Sequence, residues 1–395
     1  MRYFDHNASS PLLPQARDAW LEAGEKFFGN PSSPHRLGAR ADRALDEARE
    51  RLATFLDCDA MDIVWTSGAT ESNNMVMYHL ARALAASAEV WISEIEHPCL
   101  LRATASHFPK RHRTIPVTGA GVIDLDWLNE NLRRDRPGLV AVMAANNETG
   151  VLQPWEEVFK LCREREVPFL CDAAQWIGRL AAKGLGRSEF VSGCAHKFGG
   201  PKGVGFLKCP SRGQFQPLLL GGQQEHGRRA GTENVAGVLS MLAALEARES
   251  ALAKGEEPHR AAWRKKFEET LQQKLPGVEI VGRSSDRLWN TVSALMPDTG
   301  GQQRWVVKLD KIGFAVSTGS ACASGQEKPS HVLAAMGYGP SETGRVLRFS
   351  SGWETTMADW TALAGGLASV YLEMGERGPK LARGQAGGSL NPSVP

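Results

Sequence analysis

Apolar and polar positions alternate along residues 35–210 in two different periods. After Ser33-Pro34, apolar residues fall at Leu37, Ala41, Ala44, Leu45, Ala48, Leu52 and Phe55. That spacing predicts a helix with Ser33 as its N-cap and Pro34 in the first turn. Short apolar runs follow at Ile63-Val64-Trp65, Val90-Trp91-Ile92, 139–143, 167–171 and 204–207, each bounded by Gly, Pro, Asn, Asp or Ser. Helix-length segments separate them. Runs of this kind suit buried strands of a mostly parallel sheet covered by helices on both faces, an α/β fold. The pattern changes near residue 256. Trp263, Phe267 and Leu271 form a helix stripe, and extended candidates follow at 278–281, 291–296, 314–317 and 346–350. This reads as a smaller α+β domain. The Gly/Ser/Pro-rich stretch 384–395 has no apolar pattern and reads as a disordered tail.

Composition narrows the function classes. A chain of 395 residues suggests two or three domains. Its formal charge of +2 gives no support for nucleic-acid binding as the main task. The basic clusters Lys110-Arg111-His112-Arg113 and Arg264-Lys265-Lys266 read as solvated helix faces, so direct nucleic-acid binding is not expected. The longest stretch without a charged residue, 312–326, is rich in Gly and Ser and too short to span a bilayer. The first residues lack an apolar leader region, so no secretory signal is expected. Seven cysteines without a C-x-x-C pair point to a reducing compartment, and hence to the cytoplasm.

Four stretches carry residue types suited to chemistry. In Thr66-Ser67-Gly68-Ala69-Thr70-Glu71-Ser72, small residues between a strand and a helix let backbone N–H groups approach an anion, although an ordinary capped helix start fits equally. Asp172 ends an apolar strand, where a carboxylate can face a cationic ring nitrogen or simply cap a helix. Lys197 follows His196 among small residues, where desolvation frees an amine for Schiff-base chemistry; the alternative is a solvated loop lysine. Cys322 lies in a long run of small polar residues, 317–325, that would present a reactive thiol, whereas most lone cysteines are buried and inert. Farther on, Arg345 or Arg348 could fork a substrate carboxylate.

An imine-forming Lys, a ring-pairing Asp, an anion-binding helix start, a carboxylate-binding Arg and a loop Cys together resemble the pyridoxal-phosphate enzymes of aminotransferase class V. The order and wording are closer still to cysteine desulfurases of the NifS/IscS type. The likeness runs from Asp5 to about Met357 and includes Gly29-Asn30-Pro31-Ser32-Ser33, Glu94-Ile95-Glu96-His97, Asn146-Asn147-Glu148-Thr149-Gly150-Val151, Arg229-Ala230-Gly231-Thr232 and Arg348-Phe349-Ser350-Ser351-Gly352.

The resemblance implies a fold-type-I transferase with a large cofactor domain over 15–255. A small domain over 1–14 and 256–380 would carry the cysteine loop, with 381–395 a disordered tail. It implies pyridoxal 5'-phosphate held covalently by Lys197, with His97 stacked on its ring and moving protons. Asp172 would pair with the ring nitrogen and Gln175 with the phenolic oxygen. Ala69, Thr70, Cys194 and His196 would meet the phosphate, joined by Thr232 of a second subunit in a homodimer. Asn147 and Arg348 would hold L-cysteine. Cys322 would take its sulfur as a persulfide, releasing alanine and passing sulfur to an acceptor protein, a cluster scaffold or a thiolation enzyme. The alternatives are a selenocysteine lyase or another class V enzyme, which depend less on Cys322. One departure bears on the phosphate: where the family has Ser two residues before the His-Lys pair, this chain has Cys194, a weaker donor. A smaller one is Ala8-Ser9-Ser10, where Ala-Thr-Thr is more usual.

Overall fold

Alternating residues of the short apolar runs are buried against two different layers, as strands covered on both faces require. The computed structural model describes residues 1–299, 302–318 and 329–376. Cys322 and the expected tail 381–395 lie outside the described residues. The chain opens with β1 (Arg2–Tyr3), α1 (Pro14–Lys26) and α2 (Arg36–Leu56). Strand and helix then alternate through β2 (Ile63–Thr66), α3 (Ala69–Ala83), β3 (Val90–Ser93), α4 (Pro98–His107), β4 (His112–Ile115) and α5 (Leu125–Leu132). They continue with β5 (Leu139–Ala141), α6 (Trp155–Glu164), β6 (Phe169–Asp172), β7 (Phe190–Cys194), β8 (Gly205–Lys208) and α7 (Val235–Ala253). The remainder holds α8 (Glu257–Lys274), β9 (Glu279–Ile280), β10 (Thr291–Leu295), α9 (Gln302–Lys311), β11 (Phe314–Ala315), α10 (His331–Ala335), α11 (Pro340–Thr343), β12 (Val346–Ser350) and α12 (Met357–Glu376).

The central sheet has seven strands in the order β2-β8-β7-β6-β5-β3-β4. Only β8 runs antiparallel to its neighbours within it. Ile63, Trp65, Trp91, Val140 and Phe169 face a layer built from α1, α2, α5, α6 and α7. Val64, Val90, Ile92, Leu139 and Leu170 face the opposite layer, from α3 and α4. A second, antiparallel sheet, β12-β10-β9, has its own core, where Phe267 and Leu271 of α8 meet Trp305 of α9 and Trp360 of α12. The first residues join this part of the molecule: β1 pairs parallel with β11, and Asp5 bridges to Ser350.

Two details correct the sequence expectations. The helix expected after Ser33 starts at Arg36, with His35 as N-cap; its Nδ1 accepts from the Gly38 N–H at 3.1 Å. Ser33 is used in a turn, its N–H donating to Asn30 O at 2.9 Å, and its carbonyl packs where a Cβ on Gly38 would intrude. The basic run 110–113 is no helix face. His112 and Arg113 begin the edge strand β4, where Arg113 donates to Asp135 and Asn131 and lies over the Trp91 and Trp127 rings. Positive charge on an edge strand also discourages pairing with another chain.

Candidate active site

The parallel strands β2, β3, β5, β6 and β7 deliver their carboxyl ends to one side of the sheet, the place where open α/β sheets bind ligands. A cavity of about 530 Å³ opens there. Its wall takes Gly68, Ala69 and Thr70 after β2, His97 after β3, Asn147 after β5, Asp172 and Gln175 from the end of β6, and Cys194, His196 and Lys197 from the end of β7. Residues separated by well over a hundred positions thus share one surface because their strands share one direction.

At one end is the first turn of α3. Gly68, with φ +148°, makes the turn that feeds this helix, and a Cβ on Gly205 would stand 2.5 Å from the Gly68 Cα. Gly68 requires glycine for its positive φ, and Gly205 for the close approach of the two backbones. The Ala69 amide points at the Cys194 sulfur, and His196 Nε2 lies 3.9 Å from it. Burial pushes the Cys194 thiol up to about 11 even against the nearby Lys197 charge, so it is neutral. Burial, then Lys197 and Lys202, bring His196 down to about 4, so it is neutral as well. A helix start, a thiol and an uncharged imidazole form an anion seat built from dipoles.

At the other end Asp172 is 5% exposed. Its Oδ1 accepts from the Ala174 N–H at 3.0 Å and its Oδ2 from Asn73 Nδ2 at 2.8 Å. Between the two ends, Lys197 Nζ donates to the carbonyls of Asn7 at 2.6 Å and Ala8 at 3.0 Å. Gln175 Nε2 shares the same Asn7 carbonyl at 3.0 Å, while its Oε1 is buried without a hydrogen-bond partner among the described residues. His97 caps α4, its Nδ1 accepting from the Cys99 N–H at 3.2 Å. An accepting Nδ1 puts the proton of the neutral ring on Nε2. Burial keeps the ring neutral, with Lys197 adding to that effect and Asp172 opposing it.

Arg348 lies behind Asn147: one guanidinium nitrogen donates to the Asn147 carbonyl at 2.9 Å, another to Asp5 at 2.7 Å. Thr232 is exposed and does not line this protomer's cavity. Two residues at the site escaped the sequence reading, Asn7 and Asn73. The signal for Asn7 was its position between Asp5 and the small run Ala8-Ser9-Ser10; Asn73 was hidden in the polar stretch Glu71–Asn74.

Glu96, beside His97, is completely buried. Its Oε1 accepts from the Met143 N–H at 2.6 Å, and burial, reinforced by the Asp172 charge, raises it well above the usual carboxyl range. A raised folded-state value gives stability that is complete below the unfolded value, near pH 4.3, and is lost as pH rises toward the folded one. We expect the wild type to lose stability relative to Glu96→Gln as pH rises from 5 to 8, by up to about 1.4 kcal/mol per pH unit. Urea unfolding of both proteins across that range checks this. A pH-independent difference would mean that Glu96 is ionised when folded.

These features fit a flat, anionic cofactor with a cationic ring nitrogen and a reactive carbonyl. The start of α3, the Asp172 carboxylate and the Lys197 amine line one cavity. The family model for class-V aminotransferases matches residues 2–363. The chain is 36% identical to the cysteine desulfurase IscS of Dictyoglomus turgidum over 90% of its own length and 91% of that protein's. It is 38% identical to a cysteine desulfurase of Klebsiella pneumoniae, covering 88% and 87%. Among solved structures, a NifS-like protein superposes with a TM-score of 0.86 at 29% identity, over 94% of this chain and 100% of that one. The chain belongs to the class-V aminotransferase family, in its cysteine desulfurase branch of NifS/IscS type. Members of this family depend on pyridoxal phosphate. Among the described residues no helix is long and apolar enough to cross a membrane, and no cluster of side chains could hold a metal ion.

Proposed function

We propose that this enzyme converts L-cysteine to L-alanine with pyridoxal phosphate and carries the released sulfur on Cys322. The observation that carries the reading is the meeting of Lys197, Asp172 and His97 around one cavity that ends in the α3 anion seat. Lys197 Nζ is the group that would hold the cofactor covalently. The α3 start, Cys194 and His196 would hold its phosphate, Asp172 its ring nitrogen and Gln175 its phenolic oxygen, with His97 against its ring. When bound, the cofactor supplies an electron sink for the substrate carbon that bears the amine. Lys197, with Nζ already turned into the cavity, is placed to move a proton at that carbon. Asn147 and Arg348 would orient the substrate carboxylate, and Arg348 must then exchange its contact with Asp5.

The sulfur step balances without an oxidant. The substrate C–S bond breaks, Cys322 takes the sulfur as a persulfide, and the carbon fragment leaves as alanine. Support for Cys322 comes from the other thiols. Burial raises Cys58, Cys99 and Cys162 to about 12, Cys194 and Cys209 to about 11, and Cys171 well above its ordinary value. None of these six is a thiolate at neutral pH, and the thiolate is the nucleophile. The persulfide would pass to an acceptor protein, an iron–sulfur scaffold or a thiolation enzyme, in the cytoplasm.

The same reading makes the enzyme a homodimer in which the partner subunit's Thr232 completes the phosphate site. Thr232 sits on an exposed segment, and Leu219 and Leu220 adjoin it through the Ala230 N–H to Leu219 O bond at 3.3 Å. Leu220 is 80% exposed, an unusual position for a large apolar side chain unless something covers it. The separate cores of the two sheets support the division into 15–255 and 1–14 with 256–380. A cysteine-dependent assay of alanine and sulfide on the purified protein tests the function; no alanine from cysteine would refute it.

Cys194 offers a narrower test. A serine hydroxyl donates a better hydrogen bond to phosphate than a thiol. Cys194→Ser is expected to bind the cofactor about two- to tenfold more tightly, the scale of one neutral hydrogen bond. Equilibrium dialysis measures it; a marked loss of affinity would mean that Cys194 serves as an apolar packing group.

A further inference from the structure

Asn73 is completely buried and lies about one turn along α3 from Ala69 and Thr70. The helix whose first turn lines the cavity therefore also reaches the Asp172 carboxylate. Asn73 Nδ2 donates to Asp172 Oδ2 at 2.8 Å and lies 3.4 Å from Cys99 Sγ. Its Oδ1 is buried without a hydrogen-bond partner among the described residues. A flipped amide would set that oxygen against the carboxylate, so the charge on Asp172 dictates the orientation. An amide that leaves its own acceptor unused to aim a donor at one carboxylate is arranged around that carboxylate. Neighbouring Glu96 is neutral, and Cys99, raised to about 12 by burial and by Asp172, is a neutral thiol.

We propose that Asn73 is a positioning residue that holds Asp172 ionised and aimed at the cofactor's ring nitrogen. The proposal rests on the reading of Asp172 given above. A hydrogen bond to the charged form of an acid favours that form. A carboxylate held this way would be placed to accept from a protonated ring nitrogen. Together with the Ala174 amide, Asn73 fixes both carboxylate oxygens, so the cofactor meets a group already oriented.

The test is a double-mutant cycle of Asn73→Leu and Asp172→Asn, read by the cofactor's dissociation constant. The nitrogen-15 signal of ring-labelled cofactor is read alongside. Asn73→Leu is expected to weaken binding about 10- to 100-fold, the scale of a hydrogen bond to a charged group, and to move the ring signal toward its unprotonated position. In the Asp172→Asn background the same change should add little. If Asp172→Asn weakens binding while Asn73→Leu leaves both readouts unchanged, the proposal alone falls. It also falls if the two losses simply add. If Asp172→Asn itself binds normally, the reading of Asp172 falls and takes the proposal with it. Should Asn73→Leu not fold, Asn73→Ala removes the same donor with a smaller side chain; unchanged affinity and ring signal in that variant overturn the proposal equally.

Discussion

Lys197→Ala is expected to bind pyridoxal phosphate only reversibly and to lose activity by at least about a thousandfold, since it removes both the covalent anchor and a proton-transfer group. Borohydride treatment followed by dialysis and peptide mapping makes the result direct. The wild type should carry cofactor on the peptide containing Lys197, and the variant should carry none. The physical basis is placement. Nζ of Lys197 is held inside the cavity by the Asn7 and Ala8 carbonyls, whereas Lys202 is exposed at its edge. Cofactor on the Lys202 peptide of the wild type, or persistent labelling of the variant, would show that a different amine forms the bond.

For Cys322→Ser the two halves of the reaction should separate. The variant should keep its bound cofactor and still change colour when cysteine is added. Alanine formation from cysteine should drop by roughly a hundredfold or more, the scale of losing an essential nucleophile, and mass spectrometry should find no persulfide. Selenocysteine should still yield some alanine, because selenium leaves with less help. Desulfuration of cysteine at near the wild-type rate would leave the sulfur-transfer reading without its central residue.

The parts of the site that could be read from the sequence are those where a chemically distinctive residue stands out from its neighbours: Asp172 directly follows the apolar run 167–171, and Lys197 follows His196 among small residues. The direction of a strand left no such mark. β8 is as fully buried as the strands on either side of it, so its antiparallel course emerges only from pairing. β7 shows no continuous apolar run, because Ser192 and Gly193 interrupt it, although Gly193 makes room for the Phe206 ring, 2.5 Å from where a Cβ would lie. Long-range partners were invisible for the same reason. Nothing local to Asn7 announces that its carbonyl will receive Gln175 and Lys197, and nothing local to Arg348 announces Asp5.

The pairing of the first residues with the last strands also bears on biosynthesis. Residues 2–10 are made well before some of their partners: β1 has no partner strand until 314–315 is made, and the Asp5 carboxylate no arginine until 348. The central sheet can form as its strands emerge, because its pairings close within about residue 208. The segment whose carbonyls hold Lys197 is tied to Gln175 and His196 but also, through the Asn7 N–H, to Ser350. A nascent chain that has not reached residue 350 would therefore have most of the cavity wall but only part of what anchors the segment that seats its lysine. The full set of contacts around the lysine would then be acquired only after residue 350 has been made.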